Sequence, residues 1–368
     1  MKLVADRQAL HSALQHVGSV ISSTITSPIF RNVKMEATKD SVYLSATDLE
    51  VGLRIKVDKV EVKKPGCVLV PELRLSPILR ATADEQVSIE SEGSAVTIKS
   101  EDGRFRLVGE DPADFNDIPE MPSGAVVEVD PDVLQYMVRR TLFATADERG
   151  RYALNGLLVL VDAHGTFEMV AADGARLADV RKKASNPKKL TMDCIVMKKG
   201  IDQAAKLSSL SEEPLRMVAT ERQFLVENNI GRMCCQLVEG QFPNYQEVVP
   251  RDCKIKVELP VKALLNGVER AALLTSEQSK AVDFAFSKGQ LVLSSKAPDL
   301  GEAEVRMPAD YDGDELTISF NPDYIREVLQ VVERETVKME FDGPHAPAVF
   351  RAGVDYQYVV SPVVRGEG

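Results

Sequence analysis

The sequence predicts an α+β protein of three similar domains, each with two helices packed on antiparallel sheet. Three observations support this fold class. The chain has 368 residues, too many for one ordinary hydrophobic core, and this length is typical of two or three domains. Short stretches of alternating apolar and polar residues dominate, as half-buried strands require. The few helical patterns recur at a period of about 125 residues, which is too long for a solenoid repeat.

The first helix of each predicted domain follows a strand-like stretch, which reads KLVA, AVVEV or KIKVEL. The helices read ADRQALHSALQHVGSVI, DPDVLQYMVRRTLFAT and LPVKALLNGVERAALLT. In the first of them Leu10, Leu14 and Ile21 are spaced to fall on one face. Residues that favour helix starts precede or open all three helices. They are Asp6, Asp130-Pro131 and Pro260.

A second helix recurs about 60 residues into each predicted domain, again after a strand. The strands read GCVLV, DCIVM and ELTISF, and the helices read VPELRLSPILRATAD, VMKKGIDQAAKLSS and FNPDYIREVLQVVE. Turn signals such as Asp102-Gly103, Asp173-Gly174 and Lys288-Gly289 separate several strands. The chain therefore contains three copies of one doubled strand–helix module.

Domain boundaries are predicted where proline and acidic residues cluster. The stretches DPADFNDIPEMPSG, residues 111–124, and FPNYQEVVPRD, residues 242–252, have the composition of loops between domains. The predicted domains are residues 1–122, 126–250 and 254–368.

Charge is distributed unevenly along the chain. The formal net charge is −11, yet five of the six predicted helices carry more basic than acidic residues. A surface of this kind can meet phosphates without reading bases. Ordinary solvated helix faces, with the acids carried by loops, explain the charge equally well. The basic residues that we expect to face such a partner are Arg7, Arg74, Arg80, Arg139, Arg140, Lys198, Lys199 and Lys206.

Catalytic and metal-binding patterns are missing from the sequence. Nucleotide-binding glycine motifs, G-x-S-x-G and H-E-x-x-H do not occur. The five cysteines contain no C-x-x-C pair, which argues against a disulfide framework or a cysteine zinc site. His11 and His16 lie five residues apart on a helix and project in different directions. We expect no catalytic residue, metal or cofactor.

The sequence also lacks targeting patterns. No apolar run reaches the ~18–20 residues of a membrane helix, and Asp6 interrupts the N-terminus before a signal-type apolar core could form. We expect a cytoplasmic protein without a membrane partner.

Five motifs follow one another across the three repeats. They are RYALNGLLV at 151–159, ADGARLA at 172–178, GQFPNYQEVVP at 240–250, ISFNPDYI at 318–325 and YVVSPV at 358–363. In this order and at these separations, they make the whole chain resemble the bacterial DNA polymerase III beta subunit family, the sliding clamps. The resemblance implies three DNA-clamp domains per chain and a head-to-tail dimeric ring whose helices line a hole around duplex DNA.

The resemblance also implies function and partners. The ring would act as a processivity factor that holds double-stranded DNA without sequence preference. Its other partners would be a second copy of the chain, the DNA polymerase III catalytic subunit, the clamp-loader complex, and other polymerases and repair proteins with clamp-binding peptides.

Those peptides would bind in a pocket between the second and third domains. The matching positions are Leu154, Ala172, Gly174, Arg176, Leu177, Pro243, Val248, Asn321, Tyr324, Val359, Val360, Ser361, Pro362, Val363 and Arg365. We expect Arg176 and Asn321 to fix the peptide backbone and Leu177 to line the cleft.

The chain departs from the family pattern at several positions. Ala175 stands where the family often has His, and Ser361 where it often has Met, so we expect a different preferred peptide. Thr24 and Glu148 replace residues that the family would use at DNA. The DNA-facing residues that the resemblance adds beside them are Arg149, Arg151 and Tyr152.

The resemblance places the dimer contact between the first and third domains. Gly301 falls where an acidic residue is usual, which would weaken the ionic part of the contact. The residues expected at this interface are Arg104, Phe105 and Leu107, facing Leu273, Leu274, Asp299 and Glu302.

Two other classes of function compete with the clamp interpretation. An enzyme of repeated α+β domains would turn over a substrate, and the missing motifs count against it. A protein scaffold without DNA would be favoured if the basic helices faced outward.

Overall fold

The computed structural model describes residues 1–22, 27–146, 154–276 and 280–364. Within these ranges it has six α-helices, two for each predicted domain. They are α1 Arg7–Gly18, α2 Glu72–Ala81, α3 Pro131–Thr141, α4 Lys198–Ser208, α5 Val261–Ala272 and α6 Pro322–Val331.

Helix ends follow from local chemistry. The Asp6 side chain caps α1 by accepting a hydrogen bond from the Ala9 amide at 2.8 Å. Leu10 and Leu14 are buried on the predicted apolar face, but Ile21 lies beyond the end of the helix at Gly18. The expectation that Ile21 extends this face is therefore wrong. All six helices follow a strand, as predicted.

A five-stranded sheet has the order β5-β1-β7-β8-β9. Its strands are β1 Lys2–Asp6, β5 Val60–Lys64, β7 Gln86–Glu92, β8 Ala95–Lys99 and β9 Arg104–Val108. A four-stranded sheet has the order β21-β20-β19-β22. Its strands are β19 Val282–Ser287, β20 Gln290–Ala297, β21 Gly301–Pro308 and β22 Leu316–Phe320.

Two eight-stranded sheets each combine strands from neighbouring repeats. The first has the order β10-β15-β16-β17-β4-β3-β2-β6 and the second β14-β11-β12-β13-β25-β24-β23-β18. The first comprises β2 Asn32–Ala37, β3 Val42–Thr47, β4 Val51–Val57, β6 Gly66–Pro71, β10 Val127–Val129, β15 Leu215–Ala219, β16 Gln223–Glu227 and β17 Gly231–Gln236. The second comprises β11 Gly156–Val161, β12 Thr166–Ala172, β13 Arg176–Lys183, β14 Met192–Met197, β18 Ile255–Pro260, β23 Thr336–Phe341, β24 Ala348–Arg351 and β25 Tyr356–Val360.

The junctions inside the eight-stranded sheets are ordinary antiparallel ladders. Strand β17 pairs with β4, which places Met233 opposite Leu53. Strand β13 pairs with β25, which places Leu177 opposite Val359. Because ladder hydrogen bonds cross from one repeat to the next, the sheets continue through the predicted domain boundaries.

The chain divides into two compact units. Both eight-stranded sheets lie within single units, the first sheet in the first unit and the second sheet in the second. The first unit comprises Met1–Gln135, Ala184–Leu190 and Lys199–Leu237, and the second comprises Tyr136–Lys183, Thr191–Lys198 and Val238–Gly368.

The core of the second unit contains a series of aromatic contacts. Phe284 packs edge-on against Phe320 with ring centroids 5.3 Å apart. Phe320 contacts Phe350 at 6.5 Å, and Phe350 contacts Tyr358 at 6.5 Å. All four side chains are fully buried. Tilted and edge-to-face ring pairs each add about 0.5–1.5 kcal/mol beyond the area they bury, so this series ties the four-stranded sheet to its eight-stranded neighbour.

Candidate functional site

The described residues that we predicted to bind a partner peptide all lie in the second unit. They come from the end of β12 and its turn to β13, from the start of β13, from residues 242–250, and from α6 and the chain end after β25. We call residues 242–250 the linker segment. Arg365 lies outside the described residues.

The floor of this site is a buried apolar cluster. Leu154, Ala172, Leu177 and Val359 belong to it, and Tyr245 joins it from the linker segment. Leu177 is only 4% exposed. Leu177 therefore lies in the apolar floor, and its role in lining the cleft stays a prediction.

The linker segment is anchored at two points. The Tyr245 hydroxyl donates to Glu168 Oε1 at 2.5 Å, and Arg351 Nη2 donates to the Pro250 carbonyl at 3.2 Å. Phe242 also packs edge-on against Tyr245, with ring centroids 6.4 Å apart. Two of the predicted residues, Pro243 and Val248, remain exposed on the anchored segment.

The chain end runs along the other side of the floor. The Ser361 amide donates to the Ala175 carbonyl at 2.8 Å, and the Val363 amide donates to the Ser319 carbonyl at 2.8 Å. These bonds hold the chain end between the β12–β13 turn and β22. Val360 is fully buried, Pro362 is half-buried, and Ser361 and Val363 are exposed.

The β12–β13 turn depends on Asp173 and Gly174. Asp173 Oδ1 accepts from the Ala175 amide at 2.9 Å and from the Arg176 amide at 3.0 Å. Gly174 has a φ of +94°, a backbone conformation that disfavours any residue with a Cβ atom. The turn therefore fixes where the Ala175 carbonyl meets the chain end.

Arg176 is a structural link at the edge of the site. Its side chain is 9% exposed and pairs with Asp173 at 2.9 Å and with Glu327 of α6. Its Nη2 donates to the Phe143 carbonyl at 2.9 Å, and its guanidinium stacks 4.3 Å from the Tyr324 ring centroid. Burial acts to lower the pKa of Arg176, but interactions with Glu327 and Tyr358 together outweigh it and the pKa is raised. Its three nitrogens are thus each engaged within the protein, and a role for Arg176 at the peptide backbone stays a prediction.

The start of α6 is organised in a similar way. The Asn321 side-chain oxygen accepts from the Asp323 amide at 3.0 Å and so caps the helix. Tyr358 donates its hydroxyl to the Tyr324 carbonyl at 3.0 Å. The hydrogen bond from Lys280 lowers the pKa of Asp323 despite partial burial. A contact of the Asn321 amide nitrogen with the peptide stays a prediction.

Of the eight basic residues predicted to face DNA that lie within the described ranges, five are exposed. Arg139 and Lys206 form surface ion pairs with Glu333 and Asp202, each at 2.7 Å, which contribute little to stability. The exposed members of the set are Arg74, Arg80, Arg139, Lys198 and Lys206.

Two members of the set also make structural contacts. Arg7 donates to the Asp84 carbonyl at 2.9 Å and to the Leu79 carbonyl at 3.1 Å, near the end of α2. Lys199 donates to the Val20 carbonyl at 2.6 Å. Each of these two basic side chains therefore donates hydrogen bonds to the backbone of a neighbouring segment and is not purely a surface charge.

Arg140 contradicts the prediction. Its side chain is 3% exposed, lies 3.5 Å over the Tyr136 ring centroid and pairs with Glu333 at 3.3 Å. Tyr356 donates its hydroxyl to the Arg140 carbonyl at 3.1 Å. A guanidinium enclosed in this way is not available to phosphates, so the DNA-facing assignment of Arg140 is wrong.

Basic side chains on different helices of the first unit interact electrostatically. Burial lowers the pKa of His11, and the nearby charges of Arg7 and Arg80 lower it further. Burial also lowers the pKa of His16, with a contribution from Lys206. Basic residues of α1, α2 and α4 are thus close enough to influence one another. The other predicted DNA-facing residues, Arg149, Arg151 and Tyr152, and the departures Thr24 and Glu148, lie outside the described residues.

Several residues predicted at the dimer interface lie on or next to two strands that end their sheets among the described residues. Strand β9 ends the five-stranded sheet and β21 ends the four-stranded sheet. Arg104 and Arg106 are exposed on β9, and Glu302 and Glu304 are exposed on β21. The β9 edge is therefore basic. The β21 edge has one more acid than base, because Arg306 is also exposed there and pairs with Glu304 at 2.6 Å.

Apolar side chains are exposed at both edges. Phe105 and Val108 on β9 are 40% and 80% exposed, and Leu273 at the end of α5 and Leu300 just before β21 are 77% and 54% exposed. Gly301 opens β21 with a φ of +114°, which explains the absence of an acidic side chain there. Leu107 and Leu274 are half-buried, and Asp299 is exposed.

No group of three His, Cys, Asp or Glu side chains among the described residues is arranged to hold a metal ion. None of the helices in the described ranges combines the length and apolar character needed to cross a membrane.

The sequence did not indicate three residues that shape this site. Glu168 anchors the linker segment, Tyr245 fills its floor, and Glu327 holds Arg176. The aromatic FPNY within GQFPNYQEVVP was the available signal for Tyr245. No sequence signal pointed to Glu168 or Glu327, because each acts through a contact with a residue distant in sequence.

Comparison with known families gives matches along nearly the whole chain. Residues 1–121 match the N-terminal domain of the DNA polymerase III beta subunit, residues 128–244 its central domain, and residues 246–363 its C-terminal domain. The beta sliding clamp of Pseudomonas putida is 30% identical over 366 residues, covering 99% of this chain and 100% of that protein. The beta sliding clamp of Chlamydia trachomatis is 28% identical over 364 residues, covering 99% and 87%.

Solved structures agree with these matches. The DNA polymerase III subunit beta of Pseudomonas aeruginosa aligns with a TM-score of 0.93 at 29% identity, covering 99% of this chain and 100% of that one. A sliding clamp from the same organism bound to griselimycin aligns with a TM-score of 0.93 at 30% identity over the same shares. The DNA polymerase sliding clamp of Bacillus subtilis aligns with a TM-score of 0.94 at 25% identity, covering 99% of both chains.

Proposed function

We infer the function of this chain from the fact that it belongs to the DNA polymerase III beta subunit family, the beta sliding clamps: it is a processivity factor and not an enzyme. The observation that carries this conclusion is the succession of all three beta subunit domains along residues 1–363. The α+β fold of three clamp domains accords with it.

We propose that the chain encircles duplex DNA as a homodimeric ring. The exposed basic residues on α2, α3 and α4, and the mutual influence of Arg7, Arg80 and His11, support a positively charged helical surface. Contacts of lysine and arginine with phosphates carry no sequence information, so a ring held in this way can slide.

The dimer in this proposal forms by edge-to-edge strand pairing. An unpaired strand exposes a row of backbone donors and acceptors that another strand can complete. Strand β9 of one subunit would pair with β21 of the next, which brings Arg104 and Arg106 towards Glu302 and Glu304. Opposite charges facing each other across strands stabilise the pairing, and like charges oppose it. The basic and acidic edges therefore favour head-to-tail association.

Apolar burial would add to the same interface. Phe105 and Val108 lie on β9, and Leu273 and Leu300 lie at the end of α5 and just before β21. Fully burying one such side chain contributes about 1.5–3 kcal/mol. A stable ring also requires that the contact forms twice, once at each junction of two subunits.

We further propose that a short partner peptide binds over the apolar floor of the second unit. Pro243 and Val248 would form one wall and the chain end with Val363 the other, since these residues are exposed beside a buried cluster. An apolar cleft with few polar groups suits peptides that carry a glutamine and several apolar residues. The DNA polymerase III catalytic subunit, the clamp loader and other clamp-binding proteins would compete for this cleft.

The peptide proposal can be tested by changing an exposed wall residue. Val248 is 54% exposed, so Val248→Lys places a charge in the cleft without burying it in the core. We expect the dissociation constant of a rhodamine-labelled peptide with one Gln and three apolar residues to rise at least tenfold in fluorescence anisotropy. Val354→Lys, a fully exposed apolar position of the same unit, is the matched control. Undiminished binding by a folded Val248→Lys protein would place the site elsewhere.

A further inference from the structure

Asp179 is a buried carboxyl beneath the linker segment that the family match leaves without a role. It lies in β13, opposite Val170 of β12 and Gln357 of β25. The residue is 2% exposed. Burying a carboxylate is costly unless its oxygens are satisfied or it takes up a proton.

The groups that face Asp179 come from three strands. Gln357 Nε2 donates to Asp179 Oδ2 at 2.5 Å. Arg181 Nη2 donates to the same oxygen at 3.0 Å and to Glu168 Oε1 at 2.9 Å. Glu168 of β12 is the second carboxyl of the group, so two acids share one arginine that is itself 45% exposed.

Further charges lie one contact away. Gln357 accepts from Arg351 Nη1 at 2.6 Å. Arg351 pairs with Glu340 at 3.1 Å, and Lys338 pairs with the same Glu340 at 3.2 Å. These side chains complete a polar network across the sheet, but none of them contacts the second oxygen of Asp179.

Asp179 Oδ1 is buried and has no hydrogen-bond donor among the described residues. Glu168 shares Arg181 Nη2 with Asp179, so a protonated Asp179 would have this neighbouring carboxylate as its acceptor. Burial raises the pKa of Asp179 to about 7, and the negative charge of Glu168 contributes to the rise. The carboxyl pair therefore holds this proton in mildly acidic solution and loses it as pH rises through neutrality.

Glu168 connects the carboxyl pair to the linker segment. Its Oε1 accepts the hydrogen bond from the Tyr245 hydroxyl at 2.5 Å. Burial, with the bond to Glu168, raises the pKa of Tyr245 to about 12, so the phenol remains a donor when Asp179 ionises. The position of Glu168 thus decides whether the linker segment stays anchored at Tyr245.

We propose that a proton shared between Asp179 and Glu168 latches the linker segment onto the sheet, so that peptide affinity falls when pH rises above neutral. This inference rests on the proposed peptide-binding function. When the proton leaves for solvent, two adjacent carboxylates face each other with one arginine between them. Glu168 then turns towards solvent with Arg181, Tyr245 loses its acceptor, and the wall that carries Pro243 and Val248 loosens.

The test measures peptide affinity at pH 6.0 and pH 8.5. The probe is an acetylated, rhodamine-labelled peptide with one Gln and three apolar residues and no titratable side chain. For the unmodified protein we expect the dissociation constant to rise three- to tenfold between the two pH values. Hydrogen exchange of residues 242–250, corrected for the intrinsic pH dependence of exchange, should become faster over the same interval.

Two variants should change this behaviour in opposite ways. Asp179→Asn cannot ionise and can donate permanently to Glu168, so it should bind tightly at both pH values. Tyr245→Phe lacks the anchoring hydroxyl, so it should bind weakly at both. Asp193→Asn removes an exposed carboxylate from β14 of the same sheet and should retain the pH dependence of the unmodified protein. If Asp179→Asn fails to fold, Glu168→Gln tests the same carboxyl pair and should also abolish the pH dependence.

The outcomes separate this inference from the proposed function. Absence of peptide binding at every pH contradicts the proposed function, and hydrogen exchange of the linker segment then tests the latch alone. Binding that is equally tight at both pH values overturns the latch. An unchanged pH dependence in folded Asp179→Asn overturns it as well.

Discussion

Truncation of Leu273 should weaken the dimer, and the expected loss of free energy follows from how much of this side chain is exposed in the single chain. Fully burying a leucine contributes about 2 kcal/mol, and Leu273 is 77% exposed in the single chain. Its burial in the proposed interface is then worth about 1.5 kcal/mol, of which Leu273→Ala removes about 1 kcal/mol. A two-subunit ring contains the contact twice, so the dimer should lose about 2 kcal/mol, which corresponds to an approximately 30-fold rise in its dissociation constant.

Sedimentation equilibrium over a concentration series measures this change directly. The unmodified protein should sediment near twice 40.4 kDa, and Leu273→Ala should show monomer at concentrations where the unmodified protein does not. Val354→Ala removes a comparable exposed apolar group from the same unit, outside the proposed interface, and should leave the dimer unchanged. Equal dissociation constants for Leu273→Ala and the unmodified protein would refute the interface.

The contacts described above support three further predictions. Arg104→Glu and Glu302→Lys should each weaken self-association. An equimolar mixture of the two variants should form stable heterodimers in native mass spectrometry, because each junction then pairs opposite charges, and absence of heterodimers would contradict the charged edges. Arg74→Ala should lower the log–log slope of DNA affinity against salt concentration by about one unit and leave the melting temperature unchanged. Arg140→Ala should instead lower the free energy of unfolding in urea by about 1–3 kcal/mol, and equal stabilities of the two variants would contradict the burial of Arg140. The raised pKa of Asp179 means that the folded state holds a proton which the unfolded state has released, so the contribution of Asp179 to the free energy of unfolding should fall as pH rises from about 4 to about 7. In thermal unfolding, Asp179→Asn should therefore gain stability relative to the unmodified protein at pH 8 compared with pH 4, and a constant difference would contradict this.

Local patterns predicted the fold well. Strand-then-helix units, the Asp6 cap and the turn at Gly174 depend on residues close together in sequence, and all of them occur. The error at Ile21 arose because apolar spacing continues past the point where α1 ends. The pairing of β17 with β4 and of β13 with β25 was not predictable, because strand register between repeats depends on contacts distant in sequence.

Long-range burial explains the other differences. Arg139 and Arg140 are adjacent on a helix and therefore point about 100° apart, and in the structure only Arg139 is exposed. Arg140 points to Tyr136 and the inner side of Glu333. Asp179 reads as a polar position of an alternating strand, and its burial depends on elements distant in sequence. The candidate peptide residues were predicted by the resemblance, but only the structure separates buried supports such as Leu177 from exposed walls such as Val248.

Retention on circular DNA tests the central claim most directly. Protein loaded onto nicked circular duplex should remain bound through a high-salt wash and leave when the circle is cut, because salt screens phosphate contacts but cannot open a topological link. Loss from intact circles at the same salt concentration as from linear DNA would contradict encirclement.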